Sequence, residues 1–318
     1  MPSKRLIGAP SSELRQWTAA DLKEGIRNSE GRTLMAQTLM FSTGIVNGVT
    51  NAEVEAAFGA DMILLNGYSL AEDAVLPALQ KDRFHPEKGH YTVAELKQML
   101  GLPVGLYMEA GGGVGNRLDK QYDKMMSDRF VTPDNVRKAL ASGASYLCIG
   151  GNPGTGVKLE TIPEYVRMAR EVVGDQMLIM AGKWEDGVTD PVLGDPLAQA
   201  DPRQVIRDLI DAGADVITLP APGSRTGITV EMIRQLVVYA HQYKEGTLCL
   251  DFLDGSVEGA DVDTIREIAL MMKQTGADIH AIGDGGLAGC AVPENILQMS
   301  ITLKGRRHTY VRMAGHYR

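Results

Sequence analysis

Cysteine is scarce in this 318-residue chain: Cys148, Cys249 and Cys290 stand far apart, with no CxxC pair among them. A thiolate zinc site or a chain-borne iron–sulfur motif is therefore not supported. An odd, dispersed set of thiols is the pattern of a reduced, cytoplasmic protein. Aromatic residues make up only 5%, which argues against an aromatic-lined groove. A basic excess is missing too, since 32 Lys and Arg face 40 Asp and Glu for a formal charge of −8. Nucleic acid and anionic membranes both call for a basic surface, so neither is an expected partner. No run approaches the ~18 apolar residues of a membrane span. The opening MPSKRLIGAPSSELRQW holds no apolar segment of secretory type. With no HExxH, and no HxH at the first strand, histidine-rich zinc hydrolysis is poorly supported.

Glycine, by contrast, is plentiful at 36 residues, with 44% hydrophobic and 23% charged residues around it. That is the balance of a folded chain whose core needs no staples. At roughly 150 residues per domain the length suits two domains or one barrel with insertions. Eight short apolar windows decide between them: 32–41, 61–68, 103–110, 145–152, 176–184, 215–222, 247–254 and 278–286. Continuous apolar runs of this length read as parallel strands buried on both faces. Between them lie stretches such as PRQVIRDLIDAGA, whose apolar residues recur at helical spacing. Four helix-to-strand joints share one phrase, GAD or GAS, at 59–61, 143–145, 213–215 and 276–278. Its glycine supplies the left-handed residue that ends a helix.

The rhythm predicts an α/β fold, a (β/α)8 barrel over 32–318, preceded by an N-terminal helical extension over 1–31 that covers the barrel's bottom. A doubly wound open sheet is the alternative, disfavoured because no GxGxxG follows the first strand. The surplus length falls in loops at 69–91, 111–131 and 185–201, after strands two, three and five, which suits lids or partner contacts. GGGVG at 111–115 is able to hinge there. The stretch 143–162 also lines up with 213–233, so two alternate strand–loop–helix units carry similar turns.

In a barrel the chemistry sits on the loops after the strands. GDGGLAG at 283–289 closes the eighth strand, where a glycine run lets backbone N–H groups converge on an anion. DGS at 254–256, after the seventh, adds Gly255 and Ser256. On these two motifs the chain resembles the broad superfamily of phosphate-binding (β/α)8 barrels. The resemblance implies a ligand phosphate near Gly285, Gly286 and Gly289. PGSRTG at 222–227 is a second candidate cradle, with Gly223, Ser224, Arg225 and Thr226. Its guanidinium can grip phosphate or carboxylate bidentately. Flavin-dependent barrels carry a DGG at the end of the seventh strand, whereas here it ends the eighth, so flavin is disfavoured.

Titratable residues at strand ends supply candidate acids and bases: Glu109, Lys183, Asp251, Asp254 and Asp284. A partly desolvated carboxylate suits general-base work near neutral pH. Glu109, Asp251 and Asp284 are also a candidate contact set for Mg²⁺, the alternative to a chemistry that requires no cofactor. Lys183 is read as a Schiff-base former, as a cation steadying an enolate or phosphate, or as the partner of Glu185 or Asp186. Class I aldolase barrels resemble this architecture, but their Schiff-base lysine ends the sixth strand, which here closes on LPAPGS. His280 reads as a satisfied core residue, and His85 and His90 as solvent-exposed. The basic stretch at 295–318 suits a homo-oligomeric contact, a bound anion or a solvated tail.

The expected function is that of an enzyme acting on a small phosphorylated or anionic metabolite through an enolate-like intermediate, as isomerase, epimerase or aldolase-type lyase. A Mg²⁺-dependent phosphoenolpyruvate-mutase-like lyase or mutase and a non-catalytic metabolite-binding barrel are the alternatives.

Overall fold

The computed structural model describes residues 4–71, 74–82, 84–111, 127–152, 155–185 and 191–315. Its strands are β1 (Thr33–Leu39), β2 (Met62–Asn66), β3 (Val104–Glu109), β4 (Tyr146–Gly150), β5 (Leu178–Gly182), β6 (Val216–Pro220), β7 (Leu248–Leu253) and β8 (Ile279–Ile282). They pair in parallel in chain order, and β8 closes on β1 through Thr33 opposite Ile279. Each strand falls inside one of the eight apolar windows. The fold is the expected (β/α)8 barrel.

A single helical turn (Ser11–Leu14) and the helix α1 (Ala19–Arg27) precede the barrel, and a helix follows every strand: α2 (Asn51–Ala57), α3 (Val93–Leu100), α4 (Pro133–Ala141), α5 (Ile162–Val173), α6 (Pro202–Ala212), α7 (Val230–Tyr243), α8 (Val262–Thr275) and α9 (Pro293–Met313). Thr18, Thr50 and Thr92 start α1, α2 and α3 with reciprocal capping boxes to Asp21, Glu53 and Glu95. The four repeated joints end their helices on Gly59, Gly143, Gly213 and Gly276, all at positive φ. The acid of the phrase then does a second task. Asp61, Asp215 and Asp278 each accept the N–H of the second residue of the preceding strand, Leu34, Ile179 and Cys249, at 2.8–3.1 Å.

Those acids anchor the ends of the chain to the bottom of the barrel. Asp215 pairs with Lys23 of α1 and with Arg170 of α5. Asp61 is fully buried between Lys304 at 2.5 Å and Arg312 at 2.9 Å, both on α9. Arg312 also donates to the carbonyl of Leu6.

Inside the barrel the layers follow strand parity. Gly105 leaves room for the Tyr146 ring, whose hydroxyl donates to the Ile63 carbonyl at 2.5 Å. One layer up, Tyr107 of β3 meets Trp184 after β5 edge to face, centroids 5.6 Å apart, and Trp184 stacks on Phe252 of β7 at 5.1 Å. This aromatic layer is the floor of the mouth.

Candidate active site

Glu109, the last residue of β3, sits beside that floor and is 1% exposed. Asn152, just past β4, holds it twice: its backbone N–H donates to Oε2 at 3.0 Å and its side-chain amide donates to Oε1. Burial drives the Glu109 carboxyl up to about 7, against the pull of Asn152 and the nearby charges of Lys183 and Arg129. Lys183 follows β5 and is buried; Arg129, also buried, lies with its guanidinium 4.1 Å from the centre of the Phe41 ring.

Asp284 stands past β8, where Asn66 at the end of β2 donates to its Oδ2 at 3.1 Å. Burial raises its carboxyl to about 6, with hydrogen bonds from Asn66 and Gln37 opposing and the Asp254 charge adding. Glu109 feels the Lys183 charge, and Glu185 feels both Glu109 and Asp284, which places these groups on one end of the barrel.

Asp251 is not among them. Its neighbour Phe252 points into the barrel, so alternation turns Asp251 outward toward α8. There it is fully buried, bound to His280 Nδ1 at 2.5 Å and the Thr275 hydroxyl at 2.8 Å. His280 completes the pair by meeting the Gly31 carbonyl at 3.1 Å, the satisfied core histidine that was expected. The trio Glu109, Asp251 and Asp284 is thus not assembled. Both Glu109 oxygens are also engaged by Asn152. Among the described residues no three acidic, thiol or imidazole groups stand together as a metal-ligand set.

The glycine turn of β8 is filled by a carboxyl of the chain's own. Glu258, in the short 3₁₀ turn Ser256–Gly259 after β7, is 1% exposed and lies against it. A Cβ on Gly283 would overlap Glu258 Oε2, and one on Gly285 would stand 2.5 Å from Oε1. Burial, then the charges of Asp254 and Asp284, raise Glu258 to about 9, with the amides of Gly285 and Gly283 opposing. Gly286 packs on Gly259, while the Gly289 carbonyl accepts from the Leu39 N–H at 2.8 Å; these two join loop to loop rather than facing a ligand.

The β6 and β4 loops each carry a hydroxyl that bonds the carbonyl three residues back, but at positions that the alignment does not equate, since Thr155 aligns with Thr226. The Ser224 hydroxyl donates to the Ala221 carbonyl at 2.6 Å, and the Thr155 hydroxyl to that of Asn152 at 2.7 Å. Gly223 turns its Cα toward Met271 of α8, and Thr226 and Ser256 are exposed. Arg225 reaches across to the β7 loop, its Nη1 3.9 Å from where a Cβ of Gly255 would stand. His85 is exposed and pairs with Glu87. Asp186, Gly112–Gly115, Pro153 and Gly154 lie outside the described residues.

Sequence reasoning passed over Asn152, Asn66, Gln37, Arg129 and Glu258, and gave Glu185 only a pairing role. Glu185 is 4% exposed and shares a hydrogen bond with Asp254. Burial first, then the Asp254, Glu109 and Asp284 charges, holds its carboxyl well above the usual range. Neutral amides carry no motif. Glu185 and Glu258 were open to notice, because they lie in the first residues after β5 and β7.

Among known proteins, a family model described as "Domain of unknown function (DUF7916)" matches residues 7–318. No curated protein matches the chain. Among solved structures, the carboxyl transferase domain from Rhizobium etli pyruvate carboxylase is 14% identical, with a TM-score of 0.51 over 95% of this chain and 51% of that one. The chain thus spans about half the length of that structure. A putative lyase/mutase from Burkholderia cenocepacia is 16% identical, TM-score 0.48, over 86% and 83% of the two chains. An archaeal fructose 1,6-bisphosphate aldolase is 12% identical, TM-score 0.48, over 86% and 94%. At these identities the likeness shows the barrel fold.

Proposed function

The chain belongs to the family described as Domain of unknown function (DUF7916), and we propose that it is a lyase acting on a small anionic metabolite with a carbonyl group. The observation that carries this reading is the pair Glu109 and Asp284, raised by burial to about 7 and about 6 on separate sides of one mouth. Two carboxyls tuned apart near neutrality divide acid from base work.

Asp284, the more readily ionised, takes the proton of a hydroxyl placed β to the carbonyl. The bond between the α and β carbons then breaks, and its electron pair passes into the carbonyl as an enolate. Positive charge from Lys183 and Arg129 steadies that enolate and the substrate's own anionic group. Glu109, the weaker acid, returns a proton to the enolate carbon. Arg225, beside Gly255, offers a second place for an anionic end of the substrate.

Incubation with a panel of 4-hydroxy-2-oxo acids, followed by NMR, tests the reading. Cleavage is expected, and Glu109→Gln lowers it on the order of 10²-fold or more. No cleavage, or cleavage untouched in that variant, refutes it. Borohydride added during turnover separates two roles for Lys183: a covalent adduct there selects an imine over a charged bystander. A magnesium-assisted lyase or mutase is a second reading, favoured by the neighbouring buried carboxyls of Glu185 and Asp254, which bond to each other. Loss of turnover in EDTA, restored by Mg²⁺, selects it.

A further inference from the structure

The acid–base pair leaves one wall of the mouth unused. Glu185, Asp254 and Glu258 line it; Glu185 and Asp254 bond to each other, and no other donor of the described residues makes a hydrogen bond to the buried Glu185 Oε2, Asp254 Oδ2 or Glu258 Oε2. Two buried donors in the floor below have no hydrogen-bond partner among the described residues: the Tyr107 hydroxyl and the Trp184 indole N–H, on residues 2% and 1% exposed. The Tyr107 hydroxyl stands within 3.1 Å of where a Cβ of Gly150 would be, so glycine there keeps it uncovered from that side.

We propose that this wall and floor form a subsite for vicinal hydroxyl groups, and that Glu258 bars phosphate from it. The inference deepens the lyase reading and rests on it for the carbonyl end of the ligand. Buried polar atoms without partners are costly, and a ligand that supplies the missing bonds is favoured by that amount. A hydroxyl both donates and accepts, so it satisfies carboxyl oxygens above and the phenol and indole below. A phosphate is larger than a hydroxyl and calls for a cradle of backbone N–H groups. The glycine turn that would suit it is filled by the Glu258 carboxyl. The ligand class is a short hydroxylated acid with free hydroxyls at the end away from Glu109.

Thermal unfolding and calorimetric titration test this without turnover. The probes are glycerate, erythronate and gluconate, their unsubstituted counterparts propionate, butyrate and hexanoate, inorganic phosphate, and Mg²⁺ alone. At least one hydroxylated acid is expected to raise Tm with a saturating dose dependence, while its counterpart, phosphate and Mg²⁺ do not. The near-isosteric Glu185→Gln and Asp254→Asn each weaken that binding about tenfold. Glu258→Gly empties the turn and gains a phosphate response that the wild type lacks. A phosphate or Mg²⁺ response in the wild type, equal binding of the unsubstituted acid, or no binding of any hydroxylated acid overturns the subsite. Hydroxyl-dependent binding with no cleavage of any oxo acid overturns the lyase reading alone.

Discussion

Two hydrogen bonds from Asn152 keep the Glu109 carboxyl near 7, because burial alone drives it upward. Asn66 and Gln37 do the same for Asp284, near 6. With Asp284 needed ionised and Glu109 needed protonated, kcat/KM follows a narrow bell with limbs near 6 and 7. Each amide then has a signed effect. Asn152→Ala removes bonds that favour the charged Glu109, so its pKa rises and the alkaline limb moves up, widening the bell. Asn66→Ala raises Asp284 instead, so the acid limb moves up and the bell narrows. Limbs that stay put in both variants would show that other groups control the profile. Asp251 gives the contrasting case of a strand-end acid with no place in the mouth. Asp251→Asn removes a charge hydrogen-bonded to His280 and Thr275 in full burial. A loss of about 3 kcal/mol in unfolding free energy is expected, with kcat/KM per folded molecule unchanged. A normal midpoint with lost activity would instead return Asp251 to the chemistry.

The GAD joint shows how one phrase of sequence builds a structural element. Its glycine ends a helix, and its acid accepts an N–H from the strand before, at Asp61, Asp215 and Asp278 alike. The glycine's task was legible because positive φ leaves few other choices. The acid's task was not, since a carboxylate at a strand start looks the same whether it faces water or a neighbouring strand. Asp215 has drawn α1 against the barrel through Lys23. Asp215→Asn keeps an oxygen for the Ile179 N–H but gives up its ion pairs with Lys23 and Arg170. Amides of Ala19–Arg27 are expected to exchange faster in that variant, and Lys23→Met should reproduce the change. Unaltered exchange across α1 in both would mean that packing alone docks it. The same logic separates what was readable at the strand ends. Eight windows placed every strand, because barrel strands buried on both faces are continuous apolar runs. Which strand-end acid faces inward depends on a period of two, and counting from Phe252 would have put Asp254 inward and Asp251 outward. The glycine turn at 283–286 reads in sequence as a cradle for a ligand phosphate. That the Glu258 carboxyl of the same chain fills it needed the two loops side by side.

Across the whole molecule, the acids without charge partners tie stability to pH in one direction. Burial raises Glu55 to about 8, Glu109 to about 7, Glu258 to about 9 and Asp284 to about 6. In the unfolded chain such groups ionise near 4. Between these limits the native state holds protons that the unfolded state has released, so stability falls as pH rises. His241, raised by its hydrogen bond to Asp278, adds to the same trend, since its contribution fades above its folded pKa. Asp21, Asp82, Glu95 and Asp261 are lowered and work the other way, but they are exposed and screened, so their share is small. Lys304, lowered to about 8 chiefly by burial, opposes the fall only above that pH. Tm is therefore expected to be higher at pH 5 than at pH 8, with the steepest decline between pH 5 and 6, where all four acids contribute. Glu55 makes the cleanest test. It lies on α2 with Cys290 donating to Oε1 at 3.5 Å, outside the proposed chemistry and fully buried. Glu55→Gln removes one titration while keeping the side-chain shape, so calorimetry should give a visibly shallower slope of Tm against pH in that variant. A Tm that is level or rising from pH 5 to 8 in the wild type would mean that these carboxyls ionise in the folded protein without penalty, the state expected if ligands or cations meet them.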